Sequence, residues 1–308
     1  MKSLAAVLVA PALGLSLLAA FAAEPAAMPE IDARLQGFPT ATVRLTDDAI
    51  LAPAAIAAGP TVMIVENEEE GPGHAFVFRV PDEITDAELA RSLSGGTIIE
   101  STPDWFWTAG FLGNADRATT ERPSVALVGM EPGRYVVGDP YRPTTEFARF
   151  NVPGPALGEV KLPDADLSVE LFEMNFSLPE ELEGGSQLWE VQNTGAMLHE
   201  MAIFPVPESA TPEQVQEAIS AELAVEFGGD AAEARATIDA LGADWVGWSS
   251  DLVAGVGVLS PQAATLAQID LESGTYGAVC YIPEPNSGMP HLMLGMTKVF
   301  EVTAPSNS

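Results

Sequence analysis

The sequence predicts an all-β chain made of two tandem Greek-key β-sandwiches with short helical insertions. Two observations support this fold class. Short runs of β-branched and aromatic residues, such as TVMIV, AFVFRV and RYVV, are separated at short intervals by Gly, Pro, Asn and Asp. This is the pattern of antiparallel strands joined by turns. The second observation is an internal repeat on the scale of a whole domain, which indicates duplication and not a short solenoid unit.

The repeat appears when residues 43–67 are placed over residues 169–193. Val, Leu, Pro, Gly, Val and Asn coincide at a constant offset of 126 residues. The match resumes at an offset of 141, where ALVGMEPGRYVVGDP lies over AQIDLESGTYGAVCY. We therefore expect a first domain at residues 40–153 and a second at 165–303, joined by a Pro/Gly-rich connector.

Each copy also places a histidine before an apolar strand, a proline and a helix start. EGPGHAFVFRVP sets His74 where TGAMLHEMAIFPVP sets His199. The helix starts at Thr85 and Thr211 each fit a capping box, with a carboxylate or amide three residues after the hydroxyl. The extra residues of the second copy lie mainly at 211–241, an Ala/Glu-rich segment expected to form one or two amphipathic helices.

The N-terminal segment is predicted to be a secretory signal peptide over residues 1–23. One lysine is followed by an apolar run that Pro and Gly interrupt, and the run ends on small residues. The alternative is an N-terminal membrane anchor. With cleavage we expect an exported protein, periplasmic or extracellular, that does not insert in a membrane.

The charge of the chain excludes one class of partner. Acidic residues outnumber basic ones 44 to 13, which gives a net charge of −31. Nucleic-acid binding requires a basic surface, so we expect no nucleic-acid partner. The acidic surface either serves solvation in a salty environment or steers a basic partner.

Cys280 is the single cysteine, and an exported protein usually uses cysteines in pairs. Such a leftover thiol indicates an intermolecular disulfide, a reactive group or a metal ligand. A thiolate, two imidazoles and a weak thioether together suit copper, and His199, His291 and Met296 supply the other three groups. Taken singly, each of these residues is more commonly ordinary core, so the interpretation depends on their joint occurrence and order.

The second half of the chain resembles the cupredoxins, the blue or type 1 copper family that includes plastocyanin and azurin. The resemblance rests on N-x-G…H ending at His199, G-x-Y-x-x-x-C ending at Cys280, and H-x-x-x-G-M over 291–296. It implies a cupredoxin-like sandwich in each copy and a type 1 copper held by His199, Cys280, His291 and Met296. Ten residues separate Cys280 from His291, a longer loop than in small plastocyanin-like members and one that copper nitrite reductases also carry.

The first copy is expected to bind no copper. Asp139 stands at the position of Cys280, and the following loop contains neither His nor Met. His74 then remains alone, and a ligand role for it would require a metal shared between subunits.

Electron transfer is the function these residues favour, with one type 1 copper per chain and no catalysis. Enzymes built from tandem cupredoxins need a second, histidine-rich copper centre, but this chain has three histidines, and Val279 and Tyr281 flank the cysteine. The expected partner is a redox protein such as a basic cytochrome, docking where His291 comes nearest to solvent. The alternatives are copper storage or delivery, a copper oxidoreductase subunit, and a scaffold without metal.

Overall fold

The computed structural model describes residues 30–69, 73–93, 103–139, 147–155, 158, 160–226, 229–246, 248 and 252–305. The predicted signal peptide lies outside these residues. Strands dominate and helices are few, which confirms the predicted all-β class. No helix within the described ranges is long and apolar enough to span a bilayer.

The described residues of the first copy form eight strands and a helix. They are β1 (Thr40–Thr46), β2 (Ala49–Leu51), β3 (Gly59–Asn67), β4 (Phe76–Val80), β5 (Gly110–Phe111), β6 (Ser124–Met130), β7 (Gly133–Gly138) and β8 (Phe147–Val152), with helix α1 (Asp86–Leu93) between β4 and β5. The capping box predicted at Thr85 is present, because Thr85 and Glu88 exchange backbone-to-side-chain hydrogen bonds.

The second copy repeats this order with a longer helical insertion. Its strands are β9 (Leu167–Phe172), β10 (Asn175–Phe176), β11 (Glu181–Glu183), β12 (Gly185–Asn193), β13 (His199–Pro205), β14 (Ala254–Leu259), β15 (Ala264–Leu271), β16 (Gly274–Val279) and β17 (Thr297–Thr303). Helices α2 (Pro212–Glu226) and α3 (Ala231–Leu241) follow β13.

The two copies match in strand register, as well as in order. Met63 of β3 lies opposite Ala126 of β6, and the counterparts of these residues, Trp189 and Ala267, lie opposite each other in β12 and β15. Both pairs obey the offsets of 126 and 141 found in the sequence. The two copies therefore share the same pairing of hydrogen-bonded strands. Each position in one copy can be assigned to a position in the other, residue by residue.

One sheet is common to both copies. Its strand order is β10-β9-β12-β15-β6-β3-β1-β2, and the antiparallel pairing of β15 with β6 joins the halves. In that pairing Ala267 lies opposite Ala126, which is its own repeat counterpart, so a local two-fold axis passes through this pair. Both alanines are fully buried, and their small side chains suit the close contact between the copies.

The first copy also extends the second sheet of the second copy. That sheet has the order β11-β17-β16-β13-β14. Residues 112–116 run along the free edge of β14: Gly113 donates its N–H to Val258 at 2.9 Å, and Gly257 donates to the carbonyl of Asn114 at 2.9 Å. The edge of the strand next to β13 is therefore covered by the first copy.

The second sheet has two different faces because successive side chains of a strand alternate. Tyr276, Ala278 and Cys280 belong to the core between the sheets, as their spacing predicted. Phe204 and Val279 point to the other face, where they pack against α2 and α3. The inserted helices therefore form an outer layer over the sheet. The capping box predicted at Thr211 is also present.

The register corrects the sequence-based assignment of His74. Gly73 bridges to Ala118 in the way that His199 pairs with Leu259, so Gly73 occupies the position of His199. The prediction that His74 matches His199 is wrong by one residue, because the histidines coincide only if the constant offset is broken. His74 is instead the counterpart of Glu200. Asp139 does correspond to Cys280. Gly138, the residue before Asp139, lies opposite Phe76, and Val279, the residue before Cys280, lies opposite Ala202, which is the counterpart of Phe76.

His74 forms an ion pair where the two copies meet. Its Nδ1 lies 3.2 Å from Oδ2 of Asp116, and the two side chains are 8% and 10% exposed. Burial lowers the pKa of His74, but the nearby Asp116 and Asp139 outweigh burial and the net pKa is raised. The imidazolium form is thus stabilised by carboxylates beside the segment that covers β14.

Deletion of residues 24–155 should destabilise the second copy. The deletion uncovers the edges of β15 and β14, and uncovered sheet edges promote aggregation. We expect the isolated second copy to aggregate in size-exclusion chromatography, or to melt at least about 10 °C below the full chain. A monomeric second copy with the melting temperature of the full chain would contradict this structural role.

Replacement of Asp116 by asparagine should cost stability in a pH-dependent way. The folded pKa of His74 is raised, so the contribution of the pair is complete below about pH 6.5 and is lost as the pH rises through the folded value. Chemical denaturation of the metal-free protein should show a loss of about 3 kcal/mol at pH 5.5 and a clearly smaller loss at pH 9.

The control for this variant is Asp270→Asn. Asp270 pairs with Arg122 at 3.8 Å between exposed side chains, so its removal should cost less than about 1 kcal/mol at both pH values. An equal loss at both pH values for Asp116→Asn would show that the charge of His74 does not stabilise the fold.

Candidate metal centre

Three of the four predicted ligands converge at one end of the second sandwich. The donor atoms of His199, Cys280 and His291 all lie within 4.8 Å of one another. His291 Nδ1 is 3.1 Å from His199 Nδ1 and 3.5 Å from Cys280 Sγ. All three side chains are fully buried. The two imidazoles thus face each other through their Nδ1 atoms, and the Nδ1 of His291 also faces the thiol.

Strand pairing brings these distant residues together. His199 is the first residue of β13, and Cys280 follows directly after β16. Ala202 of β13 lies opposite Val279 of β16, which puts the start of one strand beside the end of the other. Residues 81 positions apart in the sequence therefore become neighbours through an ordinary antiparallel ladder.

The long loop from Cys280 to Met296 is closed by backbone hydrogen bonds. His291 donates to Ile282 at 2.9 Å, Leu292 donates to Cys280 at 2.8 Å, and Met296 donates to His291 at 2.9 Å. Met296 is fully buried in the core between the sheets. The extra loop length therefore folds back on itself, and it returns both the histidine and the methionine to the end of β16.

Residues 291–294 form a 3-10 turn that decides which side chains reach solvent. His291 and Leu292 are buried, whereas Met293 and Leu294 are each 38% exposed. Helix α2 fixes this turn, because Gln216 Nε2 donates to the Met293 carbonyl at 3.1 Å and Leu292 packs in the helical layer. His291 is fully buried, as are the other three predicted ligands, so the expectation that it is the ligand nearest to solvent stays a prediction.

Glu200 reinforces the site, and sequence reasoning did not select it. Its backbone N–H donates to Cys280 Sγ at 3.4 Å, and its carboxylate accepts the N–H of Tyr281 at 3.0 Å. These two bonds link the strand of His199 to both sides of the thiol. A buried glutamate within the apolar run HEMAIF was the sequence signal that could have identified it.

Burial sets the protonation of the donor groups. It raises the pKa of Cys280 well above its ordinary value, and the neighbouring Glu200 raises it further. Burial, together with the nearby His291, lowers the pKa of His199 to about 4. Burial also lowers the pKa of His291. The metal-free site at neutral pH therefore holds two neutral imidazoles and a thiol.

This donor set fits copper. Two imidazole nitrogens and a sulfur at close range, with a buried thioether in the same loop, match the soft and borderline ligands that copper takes in both oxidation states. The Nε2 atoms of His199 and His291 are buried and have no hydrogen-bond partner. The rings are thus held by packing with Nδ1 directed at the cluster, as a ligand pair requires.

Comparison with known proteins gives similar solved structures. No protein-family model matches the chain, and no curated protein does. Reduced auracyanin from Roseiflexus castenholzii is 21% identical, with 44% of this chain and 95% of that chain covered and a TM-score of 0.27. Auracyanin A from Chloroflexus aurantiacus, a "blue" copper protein, is 18% identical, covering 44% and 97% with a TM-score of 0.25.

A structure that spans both copies is the multicopper oxidase from Campylobacter jejuni, which is 10% identical, covers 87% of this chain and 65% of that chain, and has a TM-score of 0.23. The repeated strand order and the buried His-Cys-His-Met arrangement define the fold and the site. The chain has the cupredoxin fold in tandem, and its second copy contains a site like that of type 1 copper.

Proposed function

We propose that this chain is an exported electron carrier that binds one type 1 copper in its second copy. His199, Cys280, His291 and Met296 would hold the metal. The observation that carries the proposal is the convergence of two imidazole nitrogens and one Sγ within 4.8 Å in a fully buried position. Copper bound there would supply the change between Cu(I) and Cu(II), which takes up or releases one electron.

The surrounding chain is suited to hold such a site nearly unchanged in both oxidation states. The loop bonds from His291 and Met296 and the two bonds from Glu200 fix the donors before any metal arrives. Burial excludes water from all four side chains. A site that is preorganised and dry needs little rearrangement when its charge changes, which favours fast electron transfer.

An electron carrier also agrees with the inventory of side chains. The chain has three histidines, two of them in this cluster, and the third, His74, is paired with Asp116. Val279 packs into the helical layer on one side of Cys280 and Tyr281 follows on the other, so no histidine flanks the thiol to lead electrons onward. We therefore propose a carrier and not a substrate-converting enzyme.

Copper storage or delivery is the second candidate, and one observation favours it. Met289 and Met293 are each 38% exposed beside the ligand loop, and Met197 is half-buried near His199. Thioethers at a surface are soft donors that could capture Cu(I) before it enters the site. A stoichiometry above one Cu(I) per chain would support this candidate.

Substitution of the sulfur ligands should separate their roles. Cys280→Ser should abolish the visible thiolate charge-transfer absorption and most copper affinity, because no other residue supplies a thiolate. Met296→Leu should keep the copper and raise its reduction potential by on the order of 60 mV, equivalent to a tenfold change in relative affinity. Met293→Leu, an exposed control, should change neither property. A potential shift in Met293→Leu instead would contradict the assignment of Met296.

Electron exchange with a basic cytochrome should be measurable and should slow as salt is added. The net charge of −31 attracts such a partner, and ions screen that attraction. Met293→Lys at the exposed part of the loop should lower the rate constant about tenfold by opposing the partner's charge. Val225→Lys is a matched control, since Val225 has the same 38% exposure but lies near the far end of α2.

The same experiment tests the competing function. Stopped-flow mixing gives the rate constants, and Cys280→Ser serves as the blank. Negligible exchange at every salt concentration, together with tight transfer of Cu(I) to an acceptor protein, would contradict the carrier role and support delivery.

A further inference from the structure

The side of His199 that faces away from the other donors lies next to a turn of the first sheet. Its Nε2 is buried without a hydrogen-bond partner. The turn between β9 and β10 carries Glu173, and Met174 in this turn has a φ of 56°. A carboxylate oxygen of Glu173 accepts the N–H of Ala196, three residues before the ligand. A full negative charge is thus held on the loop that leads into His199.

Gly195 shows how closely the carboxylate and the imidazole approach. A Cβ at this position would lie 2.8 Å from Glu173 Oε1 and 3.1 Å from His199 Nε2. The first distance is shorter than real Cβ contacts and the second is tighter than most, so a side chain here would displace the carboxylate or press on the ring. The backbone of Gly195 is not in the left-handed region, so glycine provides space here and is not needed for its φ angle. One missing methyl group therefore lets Glu173 stand beside the ligand ring.

The loop that carries Gly195 is fixed by Asn193. The side chain of Asn193 accepts the N–H of Gly195 at 2.9 Å and donates to the carbonyls of Met197 at 2.7 Å and Leu259 at 2.9 Å. Asn193 is fully buried. In the N-x-G…H motif, the asparagine thus sets the course of the chain, and the glycine opens the gap between a carboxylate and the histidine.

Glu173 differs from Glu284, a second surface carboxylate near the site. N–H groups of Ala196, of Glu173 itself and of Met197 lower the pKa of Glu173, so it is ionised at neutral pH. Its negative charge raises the pKa of His199 and of His291, although burial has the larger and opposite effect on both pKa values. Glu284 acts on His291 and is half-buried in its own turn, where Ser287 and Asn286 donate hydrogen bonds to its carboxylate.

We propose that Glu173 is a positioning residue that acts through His199 to favour the oxidised form of the metal site. This inference rests on the proposed copper function. With a thiolate bound, the Cu(II) site carries one positive charge and the Cu(I) site is neutral, so a nearby carboxylate stabilises Cu(II) selectively. Glu173 thereby lowers the reduction potential without touching the metal.

The test compares Cu(II) and Cu(I) affinities of the purified full chain by competition with chromophoric chelators. Glu173→Gln removes the charge but still provides an oxygen, now that of an amide, which can accept the N–H of Ala196. We expect the ratio of Cu(II) to Cu(I) affinity to fall about three- to tenfold at low salt, and less at high salt because Glu173 is exposed to solvent.

Two further variants identify the cause. Glu170→Gln removes an exposed carboxylate three residues earlier on the same turn's strand, and it should leave the ratio unchanged. Gly195→Ala should displace Glu173 from His199 and shift the ratio in the same direction as Glu173→Gln. Thermal melting of the metal-free variants checks that each is folded.

The outcomes separate this inference from the proposed function. A wild-type chain that binds no copper overturns the proposed function and the inference with it. A wild-type chain that binds copper, with an unchanged affinity ratio in folded Glu173→Gln or an equal shift in Glu170→Gln, overturns the inference alone.

Discussion

The antiparallel ladder between β13 and β16 is the interaction on which the candidate metal centre depends. It sets Ala202 opposite Val279 and so places His199 beside Cys280. The 3-10 turn and Met296 are then positioned by bonds that begin at the end of β16. The inserted helices cover the outer face of the same two strands, and residues 112–116 cover the edge of β14. Both layers stabilise this ladder, so distant parts of the chain contribute to the geometry of four side chains.

Burial of the donors gives the site its chemical character at a cost to the metal-free protein. A thiol and two neutral imidazoles are less costly to bury than their charged forms, and the pKa shifts follow that order. Two imidazole Nε2 atoms remain without partners in the interior. Buried polar atoms of this kind disfavour the folded state, so packing and the loop bonds must offset them. A loss of folding stability of this kind is expected at a functional site.

The sequence predicted the parts of the site that depend on local spacing, and it missed those that depend on register. The H-x-x-x-G-M run, the alternation that turns Cys280 inward and both capping boxes follow from spacing within one segment. His74 was misplaced by one residue because it was matched to His199 by residue type, whereas the constant offset of 126 and the strand pairing both assign Gly73 to that position. Glu173 and Glu200 act through hydrogen bonds to residues more than twenty positions away in the sequence, and periodicity does not reveal such contacts. The shared sheet was hidden for the same reason, since β6 and β15 have the same pattern whether or not they pair.

Differences between the copies show which features the fold requires and which the metal requires. Tyr135 and Tyr276 are repeat counterparts, and each donates its hydroxyl hydrogen bond to the carbonyl four residues earlier, at 3.0 Å. Each ring also stacks on a phenylalanine of the last strand of its copy. These contacts occur in both halves, whereas a glycine and an aspartate occupy the first-copy positions of the histidine and cysteine ligands. The tyrosine contact therefore belongs to the architecture. The histidine and cysteine are dispensable for folding a sandwich of this kind, so their presence in the second copy supports the proposed copper site.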